Sequence, residues 1–231
     1  MLKTLLATTC AAGILIAAPV FAEDKTGTNS TDGAAGQGGA VALMAMAQDL
    51  YAYGLENKDA LSVLNAARIT GSIDAKDVER DAETKKIEGA EDVADEEGAE
   101  APADAAVMYA DAKELAGGDD ALMGMIEDAM AEGSRGRMGG ATRTLKRLRA
   151  GHTDIFKVPF YGGSLAEIAI VGDGDANLDL VVNDENGNTI CLDKSYSDKV
   201  YCSWTPAWNG YFIIGVRNMG RMRNSYYILT N

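Results

Sequence analysis

The sequence predicts an α+β protein in two segregated regions, N-terminal α-helical hairpins and a C-terminal antiparallel β-sandwich of about seven or eight strands. Apolar residues recur at helical spacing between residues 40 and 132. From Thr153 the period changes to two, in short runs separated by Gly, Asn, Asp and Pro turns.

The chain opens Met1-Leu2-Lys3, continues through an apolar stretch from Leu5 to Val20, and reaches Val20-Phe21-Ala22 just before Glu23-Asp24. A basic start, an apolar middle and a small-residue site are the layout of a secretory signal peptide over residues 1–22. The stretch is short for a membrane span and no second one follows, so no transmembrane segment is expected in the mature chain. Thr8-Thr9 ahead of Cys10 are not the small residues a lipoprotein site requires. The expected location is the periplasm, or outside the cell, after cleavage near Ala22.

Residues 23–39 (EDKTGTNSTDGAAGQGG) carry no periodic apolar residue and predict a flexible leader. In the first hairpin Leu43, Met46, Leu50 and Tyr53 share one face, and Leu61, Leu64, Ala67 and Ile69 a second. Gly54 is placed to stop the first helix and Asn57 or Asp59 to cap the next. The second hairpin places Val107, Ala110 and Leu115 before Gly117-Gly118, then Asp119-Asp120 as caps before Leu122, Met125, Ile126 and Met130. Both hairpins contain Asp-Ala-Leu, at residues 59–61 and 120–122, a faint sign of duplication. Met44, Met46, Met123, Met125 and Met130 fit helix core or an adaptable partner groove.

Between the hairpins, residues 72–105 are dominated by Asp, Glu and Ala with few large apolar side chains, so disorder or a frayed helix is expected. Residues 133–151 form a basic connector (Arg135, Arg137, Arg143, Lys146, Arg147, Arg149), whose nearest anionic partner is that acidic segment. Without Lys3 the chain carries 20 basic against 35 acidic side chains, a difference of −15. Such a charge disfavours nucleic acid and anionic lipid and favours cations or plain solubility.

In the sandwich region, residues 152–231, Phe156, Val158 and Phe160 alternate on one face. So do Ile168 and Ile170, then Leu178, Leu180 and Val182, then Phe212, Ile214 and Val216. Asn186-Gly187 suits a two-residue type I′ turn, which pairs Val182 with Cys191 and points Cys191 inward. Alternation in Lys199–Trp204 puts Val200, Cys202 and Trp204 on the core side. With Cys10 removed, Cys191 and Cys202 are left as a pair, and in an oxidising compartment they are expected to form a structural disulfide.

Asp173, Asp175 and Asp179 crowd the stretch GDGDANLDLVVNDENGNTICLD, residues 172–193, and could offer hard oxygen ligands to Ca²⁺. The spacing is not that of an EF-hand, and a Gly-Asp turn feeding a strand is the favoured alternative. Trp208, near a turn, is the candidate surface aromatic for ligand binding.

This stretch, with CSWTPAWNGYFIIGVRNMG and the closing NSYYILTN, resembles the bacterial pre-peptidase C-terminal domain from about Thr153 to Asn231. The resemblance implies a non-catalytic accessory β-sandwich, of a kind that binds matrix polymers or carbohydrate and in some cases calcium. No protease partner precedes it.

Catalytic signals are sparse. His152 is the one histidine, no serine sits in a nucleophile elbow, and the paired thiols leave zinc few ligands. The sequence therefore predicts no enzyme. It predicts an exported binding or envelope-organising protein, its sandwich meeting a polymer or Ca²⁺ and its hairpins a protein partner in the envelope or outside the cell. The alternatives are a calcium-stabilised structural envelope protein and an acid-pair hydrolase.

Overall fold

The computed structural model describes residues 25–31, 38–91, 98, 101–132 and 139–231. The expected signal peptide, most of the leader's centre and the front of the basic connector, with Arg135 and Arg137, lie outside the described residues.

The α+β class is as the periodicity predicts. Four helices, α1 (Ala40–Asn57), α2 (Ala60–Gly71), α3 (Ala105–Ala116) and α4 (Asp120–Glu132), precede most of the strands. The ten strands are β1 (Lys76–Asp77), β2 (Glu83–Lys86), β3 (Thr142–Leu148), β4 (His152–Phe160), β5 (Ala166–Gly172), β6 (Leu178–Asn183), β7 (Thr189–Asp193), β8 (Lys199–Trp204), β9 (Gly210–Asn218) and β10 (Asn224–Thr230). They form two five-stranded sheets, ordered β1-β3-β10-β5-β8 and β2-β4-β9-β6-β7. Among the described residues, β1 and β3 alone pair in parallel.

From β3 to β10 the chain alternates between the sheets, except at the β6–β7 hairpin. The inward residues of both sheets make one core. Phe156, Val158, Phe160, Ile168, Ile170, Leu178, Leu180, Val182, Val200, Trp204, Phe212, Ile214 and Val216 all lie in it, as alternation requires. Trp204 meets the Phe160 ring edge-on at 5.0 Å. Cys191 on edge strand β7 is bonded to Cys202 on edge strand β8, so the disulfide joins the two sheets along one margin.

The helices cover the outer face of the first sheet. Val41, Met44 and Ala45 of α1 pack on Ala169 and Val171 of β5 and Leu229 of β10. Glu167 of β5, itself buried, accepts from the Gly39 amide at 2.8 Å and from the Tyr201 hydroxyl at 2.8 Å. A carboxylate from the sheet thus takes the place of a local cap at the α1 N-terminus, where the backbone partial charge is positive. Helices α2, α3 and α4 build outward, through Val63, Leu64, Met108, Ala112, Ile126 and Ala129.

Several local expectations are corrected. The helical period holds, and Leu64, Ala67 and Ile126 are buried as expected, but Met46, Tyr53, Leu61, Val107, Met125 and Met130 are exposed, while Val41, Met44, Val63, Met108 and several alanines fill the buried faces. Close helix packing prefers small residues at contacts. Gly54 does not stop α1; a Cβ there would lie 2.6 Å from Val63 Cγ2, so its absence lets α1 and α2 approach. Asp59 does cap α2, accepting from Leu61 and Ser62.

Part of the segment expected to be disordered is strand. β1 and β2 extend both sheets, and Arg80 between them reaches the hydroxyls of Thr142, Thr144 and Thr230. Backbone pairing with a preformed sheet edge replaces the apolar residues that the segment lacks. The end of the basic connector is likewise strand, β3, and its Arg143 pairs with Asp77 of the acidic segment at 2.7 Å.

Candidate ligand-binding site

The β6–β7 hairpin organises one end of the sandwich. Val182 pairs with Cys191, the expected register, but through a different turn. Asp184 accepts from the Gly187 amide at 3.1 Å, and Gly187 alone in the turn has positive φ, 85°. Asn186 does not adopt positive φ, so the turn is not type I′. A register shift between Val182 and Asn183 restores the pairing outward of it.

This turn receives the chain's own leader. Asn29 is fully buried, and its amide donates to Asp184 Oδ2 at 2.8 Å. Its side-chain Nδ2 donates to Glu185 Oε2 at 3.2 Å, and its Oδ1 accepts from the Trp208 amide at 3.0 Å. Asn186 Nδ2 donates to the carbonyls of Lys25 and Gly27, and Asn188 Nδ2 to that of Gly27. Residues 25–31 are therefore docked rather than flexible. Side-chain and backbone hydrogen bonds hold them, which a search for apolar periodicity does not register.

Trp208 is not the surface platform that its turn position predicts. It is 8 % exposed, beneath the leader, and its Nε1 donates to Glu185 Oε1 at 2.7 Å. The exposed aromatics at this end are Tyr161, 77 % exposed, and Tyr211, 50 % exposed. They border a cavity of about 350 Å³, lined also by Lys25, Pro159, Phe160, Glu185, Asn209 and Gly210. Lys157 Nζ lies 4.5 Å from the Tyr211 ring centroid.

The Glu185 carboxylate is held in place from behind. A Cβ at Gly210 would sit 2.5 Å from both Glu185 Oε1 and Asn29 Nδ2, so only glycine leaves room for that pair. Burial alone would raise the Glu185 pKa. Hydrogen bonds from Trp208, its own backbone and Asn29 outweigh it and hold the group below its ordinary value. The cleft thus presents a fixed anion, a lysine ammonium and two tyrosine rings.

The three aspartates do not converge on one metal. Asp173 accepts from the amides of Ser225 at 2.7 Å and Asp175 at 3.1 Å. Burial, opposed by those amides, keeps its pKa raised. Asp179 instead lies on β6, paired with Arg217 of the neighbouring strand β9, and accepts from Asn177 Nδ2 at 3.3 Å. No three His, Cys, Asp or Glu side chains among the described residues are grouped to hold a metal ion.

The corner is also closed by the chain. A Cβ at Gly98 would lie 2.4 Å from the Arg223 carbonyl oxygen, 2.7 Å from Asp175 Oδ2 and 3.2 Å from Asp173 Oδ2, so Gly98 sits tightly against all three. Sequence reading missed Asp198, whose buried Oδ2 accepts from the Gly174 amide and whose Oδ1 accepts from Lys199 Nζ at 2.9 Å. It missed Tyr161 and Tyr211 as well, although Tyr211 stands opposite Pro159 at the outer end of β9.

The arrangement is that of a β-sandwich with an open, aromatic-bordered cleft. No protein-family model matches the sequence, and no curated protein matches it. The sandwich is similar to the pre-peptidase C-terminal domain of collagenase from Bacillus anthracis, with 16 % identity and a TM-score of 0.34 over 40 % of this chain and 90 % of that one. A second likeness is to the C-terminal CBM6 of LamC, a laminarinase from Zobellia galactanivorans, with 10 % identity and a TM-score of 0.22 over 38 % and 88 % of the chains. A designed double-stranded β-helix matches with 11 % identity and a TM-score of 0.25, over 38 % and 97 %.

Proposed function

We propose that the chain is an exported, non-catalytic binding protein whose sandwich takes a hydroxyl-rich polymer, a glycan, in the cleft bordered by Tyr161 and Tyr211. The observation that carries this reading is the cleft's chemistry. Two exposed rings can stack on the apolar faces of sugar rings, and Glu185, Lys25 and Asn209 supply polar contacts within the same 350 Å³ cavity. Among the lining residues Glu185 is the one carboxylate, whereas the usual glycoside hydrolysis uses a pair flanking the scissile bond. Hydrogen bonds that keep Glu185 ionised also suit an acceptor better than a general acid. The helical layer leaves Met46, Tyr53, Leu61 and Met125 exposed, and these are the residues a protein partner would meet.

The test is calorimetric titration of the mature chain with soluble polysaccharides, beside Tyr161→Ala and Tyr211→Ala. Each substitution is expected to weaken binding at least tenfold, about 1.4 kcal/mol. Wild-type binding that survives both substitutions would overturn the cleft assignment. Polysaccharide hydrolysis abolished by Glu185→Gln would overturn the non-catalytic one. N-terminal sequencing of the protein from the cell envelope tests export, with Glu23 expected first.

A further inference from the structure

We infer that residues 25–31 are a built wall of the binding cleft, with Asn29 positioning Glu185 and Lys25 contacting the ligand, so that the cleft selects a neutral glycan presenting adjacent hydroxyls. This rests on the glycan reading of the cleft.

Asn29 is the joint. With no exposed surface, it spends its backbone amide on Asp184, its side-chain amide on Glu185 and its side-chain carbonyl on the Trp208 amide. One side chain thereby ties the β6–β7 turn to the segment before β9. Glu185 is then fixed from two sides, by Asn29 and by Trp208 Nε1. Further along, the Thr31 amide donates to the Thr205 carbonyl at 2.9 Å. None of these residues belongs to the main apolar cluster between the two sheets.

The strap's outer end faces the cavity. Lys25 Nζ donates to the Asn209 carbonyl at 3.0 Å, and Lys25 and Glu185 both line the cavity. An ammonium has three donors and a carboxylate only acceptors. Two neighbouring hydroxyls complement that pair, one accepting from Nζ and the other donating to the carboxylate. A polyanionic ligand would meet Glu185 and the field of a chain with net charge −14, so the cleft favours a neutral glycan.

The experiment uses the mature chain and its Asn29→Ala and Lys25→Met variants, titrated with neutral glucan, mannan and xylan and with a polyuronate. Hydrogen exchange of the residue 29–31 amides is followed in parallel. Wild type is expected to bind a neutral polymer more tightly than the polyuronate, with those amides protected. Asn29→Ala is expected to lose that protection and at least tenfold in affinity. Lys25→Met should lose affinity severalfold while the protection stays. Wild-type affinity in an Asn29→Ala variant whose strap has lost protection would overturn the positioning role. Preference for the polyuronate would overturn the ligand class, and unprotected amides in wild type would overturn the docked strap itself. If wild type binds no polymer, the cleft reading and the ligand class fall together, and the exchange data alone decide whether the strap docks.

Discussion

Arg80→Ala separates the structure from the composition of the acidic segment. The guanidinium donates to Thr144 Oγ1 at 2.7 Å through one terminal nitrogen, and to Thr142 Oγ1 at 2.6 Å and Thr230 Oγ1 at 2.7 Å through the other. A hydrogen bond involving a charged group contributes about 1.5–3 kcal/mol. Three such bonds do not add fully, because the hydroxyls keep other partners once the arginine is gone. Thr144 still donates to the Val78 carbonyl at 2.6 Å, and Thr142 lies 3.1 Å from both the carbonyl and the hydroxyl of Thr230. No orphaned buried group is created. Burial also pulls the Arg80 pKa below its ordinary value, so desolvation already offsets part of the gain. The expected net loss is about 2 kcal/mol, measured by urea unfolding of wild type and variant. Because these partners are hydroxyls rather than carboxylates, the loss should be nearly independent of salt. A loss below about 0.5 kcal/mol, with the amides of residues 76–86 unprotected in wild type, would show that the segment is disordered, as its composition predicts.

Two further outcomes follow from the same geometry. The Cys191–Cys202 bond closes a short loop, at a sequence separation of 11, and Cys191→Ser with Cys202→Ser should cost about 3 kcal/mol on the chain-entropy estimate; an unchanged urea midpoint would show that the bond constrains little. Asp184 and Glu185 titrate below their ordinary values: burial raises each, but hydrogen bonds from Asn188, Asn29 and Asn186 to the first, and from Trp208, its own backbone and Asn29 to the second, outweigh it. Their contribution is present above the unfolded-state pKa and lost as pH falls through the folded one, so the docked leader should loosen below about pH 4, read as faster exchange of the Asn29 amide; loosening on alkalinisation instead would refute the assignment.

The sandwich was legible because alternation is a physical consequence of a strand with one buried face. Phe156 through Phe160, Leu178 through Val182 and Phe212 through Val216 each place every second side chain in the core, as read. The Val182–Cys191 register was legible although its turn was not, since the shift at Val182/Asn183 compensates for the different loop. Helix phase was harder. Alanine scores as weakly apolar, yet Ala45, Ala66, Ala67 and Ala112 are the close contacts, and the larger Met46 and Met125 lie outside. The candidate site was least legible, because it is made by polar side chains meeting across long sequence distances. Asn29 and Glu185 are 156 residues apart, and nothing in EDKTGTNSTDG marks one asparagine as buried.

The positions of β1, β2, the leader and Gly98 explain why the open cleft lies where it does. A sandwich presents two edges, two ends and two outer faces, each exposing backbone or apolar groups that must be covered or solvated. Here β8 and β7 are joined at one edge by the disulfide, and β1 and β2 extend the other edge with residues of the acidic segment. The helices cover the outer face of the first sheet. Gly98 lies at the aspartate corner, and residues 25–31 cross the β6–β7 turn and bring Lys25 to the cavity that Tyr161 and Tyr211 border. The strap therefore buries Trp208 and leaves two tyrosines beside a fixed carboxylate. The strap's path places Lys25 at the cavity's rim, where the ammonium and Glu185 can act on the same ligand.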